Sequence, residues 1–279
     1  MPAQTSTAWV LEDQKGFGSL TPRSAHISSH NSQHPKSQAS PISIPDWDST
    51  CSHGVFHETA LVSMPSTLDF IETSTLTCSG LMAWNALFGI AGHVPKEGSF
   101  VILQGSGGVC IAALQFAVAV GATVIATTSS DAKADRLRAL GANHVINCRT
   151  DSAWGKTAKS LIYNRKGVDI VVDVGGLSTL PQSFKAVNTN GVIALTTMLA
   201  QSEDGCRAFS DGLHVECESL LGTRDQFVEM NRFIELKGIK PVVGEKIFGF
   251  RYAKEAFGYL EGQKHISLRF VFGWTKIIL

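Results

Sequence analysis

No two of the six cysteines, at 51, 78, 110, 148, 206 and 217, stand in a CxxC pair, and no apolar signal segment opens the chain. A scattered set of this kind argues against disulfides and predicts a cytoplasmic protein. Excess charge is also missing, since 24 Lys and Arg balance 24 Asp and Glu. That removes the electrostatic case for nucleic acid or an anionic membrane, and leaves a small neutral or weakly charged molecule as the expected partner. A membrane span is missing too, although Gly107 to Thr128 contains only one strongly polar residue, Gln115. Gly121 interrupts that run and β-branched Thr123, Val124 and Ile125 follow it, so the run is read as a buried helix and then a strand.

What is present is a chain of 279 residues, 44% hydrophobic, enough for one large domain or two smaller ones. Ala8 to Leu20, with glycines at 16 and 18, reads as a hairpin, and the Ser-, His- and Pro-rich stretch Thr21 to Pro45 reads as a flexible linker. From Gly54 a strand (GVFHETALVSMP) is expected, then helical turns over STLDFIETSTLTCSGLMAWNALFG, with Ser66 as a candidate cap. After Gly98 strands and helices alternate: SFVILQG, a helix near Gly108 to Val120, TVIATT, the helix SDAKADRLRAL, HVIN, VDIVVDVG, the helix LSTLPQSFKAV, GVIALTTML and HVECESLLG. The helix TRDQFVEMNRFIELKG then shows capping-box spacing at Thr223 and Gln226 and a terminator at Gly238. This alternation predicts an α/β fold with a doubly wound, mostly parallel sheet. The last segment, with EKIFGF, a helix and an apolar tail, is expected to rejoin the N-terminal part.

Gly105-Ser106-Gly107-Gly108-Val109-Cys110 follows a strand and opens a helix, the setting in which a glycine pattern carries weight. Gly105 allows the tight turn, Gly107 allows close approach of a pyrophosphate, and the helix N-terminus offers amide donors. Cys110 stands where a third glycine is usual; it is small and tolerates burial, so modest packing strain is expected there, with binding kept. An NAD site places an acid at the end of the second strand, about 20 residues beyond the turn. Here the strand ends in Ser129 and Ser130, with Lys133 following, a set that suits the 2′-phosphate of NADP. The plainer alternative is a solvated Lys133 and a Ser130 that only caps its helix.

The chain resembles the medium-chain dehydrogenase/reductase superfamily, in particular the zinc-free quinone-oxidoreductase-like and alcohol-dehydrogenase-like proteins of fungal secondary metabolism. GVFHETALVSMP, CSGLMAWNALFG, VILQGSGGVCIAALQFAVAVGATVIATTSS, LRALGANHVIN, GVDIVVDVGG, GTRDQFVEMNRFIELKGIKPVV and AKEAFGYLEGQKH carry the likeness. It implies a Rossmann-like NADP-binding domain over 90–245 beside a smaller, truncated GroES-like β-domain. The latter would take its opening hairpin from 1–24, follow a linker at 25–50, continue over 51–89 and be rejoined by 246–279. Hydride would pass between the nicotinamide and a small carbonyl, enone or quinone, in polyketide-type biosynthesis. By position, Gly105, Ser106, Gly107, Gly108 and Val109 would hold the pyrophosphate and Ser129, Ser130 and Lys133 the 2′-phosphate. Asp173, Gly175 and Gly176, with Thr197 and Leu199 at a later strand end, would border the ribose and nicotinamide. Thr223 and Arg224 match a position near the cofactor, or Arg224 covers its own helix terminus. A homodimer is implied through the strand region around Cys217 to Leu221.

The departures from that family matter as much. Cys148 replaces a usual tyrosine, Met82 a usual threonine, and Thr21 to Pro45 stands where a run of strands is expected. The alternative is therefore a nucleotide-binding relative without catalysis, or the product of a truncated gene. His26, His30 and His34, and the group Cys51, His53 and His57, lack the fixed framework a metal needs, so no metal is expected. Cys78 is read as structural in the absence of a partner histidine. Tyr163, Tyr252 and Tyr259, the only tyrosines, lie outside the segment from which related reductases present an acid, so the catalytic residues stay unassigned.

Overall fold

The computed structural model describes residues 5–11, 20–26, 61–196, 214–216, 221–244, 246–261 and 272–273. The chain divides into two compact units, one of residues 64–243 with 266–269, the other of 1–63, 244–265 and 270–279. The N-terminal hairpin and the C-terminal return therefore fall in the same unit.

In the smaller unit β1 (Thr5–Leu11) pairs antiparallel with β2 (Leu20–His26), from Thr5 opposite His26 to Leu11 opposite Leu20. The pairing takes in Thr21 to His26, which corrects the expected linker at its N-terminal end. Composition there is polar, but the cross-strand ladder supplies the order that composition does not display, and Pro22 is tolerated because a two-stranded ribbon has only edges. Residues 27–50, where the rest of that linker was expected, lie outside the described residues, as do Cys51, His53 and His57.

The larger unit opens with α1 (Phe70–Ser74), a π-helical turn (Leu76–Gly80) and α2 (Leu81–Phe88). Asp69, not Ser66, caps α1: its side chain accepts from the Glu72 amide at 2.7 Å while Glu72 Oε2 accepts from the Asp69 amide at 3.0 Å. Ser66 instead donates its hydroxyl and amide to Glu235 Oε1.

Strand–helix units follow: β3 (Phe100–Gln104), α3 (Gly108–Ala119), β4 (Thr123–Thr128), α4 (Asp131–Ala139), β5 (His144–Asn147), α5 (Trp154–Ser160), β6 (Val168–Asp173), α6 (Leu180–Ala186), β7 (Val187–Leu195) and β8 (His214–Glu216). α5 is an element the periodicity does not announce. α7 (Arg224–Lys237) closes the series with the expected capping box at Thr223 and Gln226 and a left-handed Gly238, φ 63°. The six strands lie in the order β5-β4-β3-β6-β7-β8, all parallel. The order turns back between β3 and β6, the point at which α/β sheets open a crevice. Among the described residues no helix is long and apolar enough to cross a membrane.

Two apolar layers hold the sheet. Ile102, Ile125, Val171 and Ile193 pack with Trp154 and Ala158 of α5 and Leu180 of α6. A second cluster joins α2, α3 and α7: Trp84 stacks on Phe88 at 4.2 Å and meets Phe116 at 5.8 Å and Phe233 at 5.2 Å between ring centroids. Rings at these separations and tilts add to the area they bury. The tryptophan-bearing helix is thus part of the sheet unit's core.

Back in the smaller unit, β9 (Phe248–Gly249) pairs parallel with β10 (Phe272–Gly273), and α8 (Ala253–Glu261) lies between them in sequence. Tyr259 packs against Phe248, with Lys246 Nζ 4.7 Å from its ring centre.

Candidate functional site

The glycine turn lies where β3 ends, at the point of reversal in the sheet. Gly105 has φ +83°, a left-handed conformation that favours glycine, and a Cβ on Gly105 or on Gly107 would meet nothing within 4 Å. The backbone therefore borders an open cradle. Gly107 precedes α3 with no side chain capping the first turn, which leaves amide donors and the positive end of the helix dipole for an anion. Ser106 and Val109 are half-buried beside it.

Cys110 lies in the first turn of α3. It is buried, and its thiol donates to the Gln104 carbonyl, so the helix is bonded to the strand end where a glycine would merely pack close. Burial pushes this thiol from an ordinary 9.0 up to about 12, which keeps it protonated and out of nucleophilic chemistry.

At the end of β4, Ser129 is exposed, Ser130 half-buried and Lys133 half-buried on the first turn of α4. Ser130 is the N-cap residue of α4, the place the plainer alternative gives it, with no cap bond from its side chain. The first carboxylate in the region, Asp131, accepts from Asn147 Nδ2 at 2.7 Å and so ties α4 to β5. Cys148 lies against the same strand end, its thiol 3.3 Å from the Thr128 carbonyl.

Asp173 departs from the expected role. It is 0% exposed, and its carboxylate accepts from Gln104 Nε2 (2.9 Å), Ser183 Oγ (2.6 Å), Thr179 Oγ1 (2.7 Å) and the amides of Gly175 (3.0 Å) and Gly176 (2.9 Å). An enclosed carboxylate satisfied by protein donors joins the end of β6 to the end of β3 and to α6. Gly175 is exposed at the turn it holds, and Gly176, at φ 61°, is buried. Thr196 closes the neighbouring strand end by donating to the Asp173 carbonyl, at 2.9 Å from its amide and 3.1 Å from its hydroxyl. Thr197 and Leu199 lie outside the described residues.

Thr223 spends its hydroxyl on the Gln226 amide, and Gln226 Nε2 reaches Asn85 Oδ1 at 2.8 Å, linking α7 to α2. Arg224 is exposed on the first residue of α7. β8 is the last strand in the sheet order, while residues 217–220, to which the dimer contact was assigned, lie outside the described residues. Of the tyrosines, Tyr163 is 86% exposed and Tyr252 50% exposed.

Gln104, Thr179 and Ser183 were missed from sequence. The available signal was Gln104 itself, an amide at the end of an otherwise apolar strand directly before the glycine turn. Cys78 is exposed on the π-helical turn, and among the described residues no three His, Cys, Asp or Glu side chains gather to hold a metal ion.

Residues 108–235 match the family model described as zinc-binding dehydrogenase. Among the described residues no ligand set for such a metal is present. A zinc-type alcohol dehydrogenase-like protein of Schizosaccharomyces pombe is 37% identical over 75% of this chain and 61% of its own length. The crystal structure of an NAD-dependent alcohol dehydrogenase superposes with TM-score 0.64 at 29% identity, over 76% of this chain and 61% of the other. The JamJ enoyl reductase, in its apo form, gives TM-score 0.62 at 26% identity, over 75% and 64%. The chain thus spans about three fifths of the length of the curated relative it matches at 37% identity.

Proposed function

The chain belongs to the medium-chain dehydrogenase/reductase superfamily, and we propose that it is an oxidoreductase moving hydride between a nicotinamide dinucleotide, NADPH by preference, and a small carbonyl, enone or quinone. The observation that carries the reading is the open, uncapped glycine turn at the sheet's point of reversal. The nicotinamide, when bound, is the source or acceptor of the hydride. The chain's own residues bind and orient: the backbone from Gly105 to Val109 takes the pyrophosphate. Gly175 and Gly176 form the opposite lip. Catalysis on this reading rests on orientation, with no side chain assigned as acid or base.

NADPH is preferred because the end of β4 offers Ser129, Ser130 and Lys133, and its nearest carboxylate, on Asp131, is already engaged by Asn147. The kinship with an enoyl reductase supports including activated alkenes in the substrate class, and a secondary-metabolic, cytoplasmic setting is part of the same proposal. Zinc independence belongs to it as well.

Titration with NADPH and NADH, followed by nicotinamide fluorescence, tests the reading. NADPH is expected to bind about tenfold or more tightly than NADH, the scale of one charge-assisted hydrogen bond, and Lys133→Ala to remove the preference. Binding of neither at millimolar concentration overturns the proposal. Sustained NADPH oxidation with quinones, enones or aldehydes is expected; binding without turnover would favour a non-catalytic nucleotide-binding relative.

A further inference from the structure

The crevice has two lips, the glycine turn after β3 and the glycine turn after β6, and Gln104, the residue directly before the first, reaches the second with its side chain. The parallel register of β3 and β6, with Leu103 beside Val172, carries Gln104 alongside Asp173. Gln104 is 3% exposed. Its Nε2 donates to Asp173 Oδ2 at 2.9 Å and to Ser183 Oγ at 2.8 Å, and its Oε1 accepts from the Gly175 amide at 3.3 Å. Its backbone carbonyl accepts the Cys110 thiol at the foot of α3. A primary amide is suited to this place because it donates to a carboxylate and accepts from a backbone amide without carrying charge. Lost, it would leave a buried carboxylate short of a donor and the Gly175 amide held by Asp173 Oδ1 alone.

We propose that Gln104 is a positioning residue for the dinucleotide, its side-chain amide fixing the spacing of the two glycine turns so that the crevice is formed before the cofactor enters. The proposal rests on the dinucleotide reading above. Turns left free to separate would have to be ordered at the expense of binding, which is the physical sense of preorganisation.

Gln104→Glu makes the spacing titratable. Protonated, the glutamic acid reproduces one donor and one acceptor; ionised, it replaces the donor to Asp173 by a second negative charge, and like charges in contact repel, which raises the pH at which residue 104 ionises. The titratable groups hydrogen-bonded to residue 104 are Asp173 on β6 and the Cys110 thiol on α3. The thiol stays protonated throughout the range tested, its value being about 12.

The measurement is the dissociation constant of NADPH and of NADH, each as a ratio to wild type at the same pH, with circular dichroism and thermal unfolding alongside. For Q104E a ratio of about ten or more is expected near pH ~8.5, falling to within about threefold near pH ~5.5, the range over which a buried glutamic acid regains its proton. Q104M, of similar shape but lacking both polar atoms, is expected to weaken binding at both pH values without rescue. A Q104E ratio near one throughout, or Q104M binding like wild type, overturns the proposal and leaves the dinucleotide reading standing. Failure of the wild type to bind either dinucleotide removes both. Where Q104E unfolds at high pH, Q104M decides; loss of folding by both variants under conditions where the wild type is folded assigns Gln104 to stability alone and overturns the proposal.

Discussion

Cys110 occupies the spot where α3 must approach the end of β3, and its thiol makes of that approach a bond to the Gln104 carbonyl. The consequence is a pH dependence whose sign follows from the raised value. An unfolded chain releases the thiol proton near 9.0, whereas the folded protein holds it to about 12. Below pH 9.0 both states keep the proton and the linkage costs nothing; from there towards about 12 the unfolded state binds fewer protons, so stability falls. Cys110→Ser keeps a donor and removes the titration. Chemical denaturation between about pH 9 and pH 10.5 is therefore expected to show wild type losing stability faster than C110S, and parallel slopes would refute the assignment. At this scale the glycine turn, the Thr223–Gln226 box and Gly238 were legible, because each is written in adjacent residues. Asp69 was legible too, through Glu72 three residues on, yet Ser66 is also a cap-forming type and the plain pattern does not rank them.

Among elements, α5 was the one left unread between HVIN and VDIVVDVG, and Gly155 explains why. A glycine in the first turn of a short, polar segment reads as a loop, but here it is required by packing: a Cβ on Gly155 would stand 2.1 Å from the Gln182 backbone carbonyl of α6. Intrinsic propensity says that Gly155→Ala should stabilise a helix by about 1 kcal/mol. Overpacking against backbone that cannot rotate away costs about 1–3 kcal/mol, and the clash wins because the neighbour is a carbonyl and not a flexible side-chain end. G155A is expected to lower the midpoint of urea unfolding, with the slope unchanged. A rise in the midpoint would show that the α5–α6 contact is looser than described. The strands were easier to read, since buried parallel strands are continuous apolar runs bounded by glycine or polar turns. What those runs do not show is the register that sets Gln104 beside Asp173, 69 positions away in the chain, and the polar knot below the crevice depends on that register.

At the scale of the whole molecule, the alternation after Gly98 conveys the sheet class, and the handedness of βαβ crossovers then leaves few orders for parallel strands. The long-range ties that fasten residues 240–242 to the helices of the larger unit carry no local signature. Gln115, the only strongly polar residue from Gly107 to Thr128, is such a tie: Nε2 donates to the Lys240 carbonyl at 2.6 Å and Oε1 accepts from the Val242 amide at 3.4 Å. Lys240 Nζ donates to the Thr67 carbonyl and lies 3.3 Å from Glu72, but that ion pair is partly exposed, with side chains 61% and 21% accessible, and surface pairs contribute about 0–1 kcal/mol. Gln115 binds backbone on both sides of Pro241 from a half-buried position, so it is the stronger anchor of the segment that follows α7 within the larger unit. Gln115→Leu is expected to raise hydrogen exchange at the Val242 amide by about tenfold, the equivalent of one hydrogen bond, while thermal unfolding of the unit changes little because the sheet core is untouched. Lys240→Ala should raise it less. Val242 exchange unchanged by Q115L, or a larger effect from K240A, would move the anchor from the amide to the ammonium.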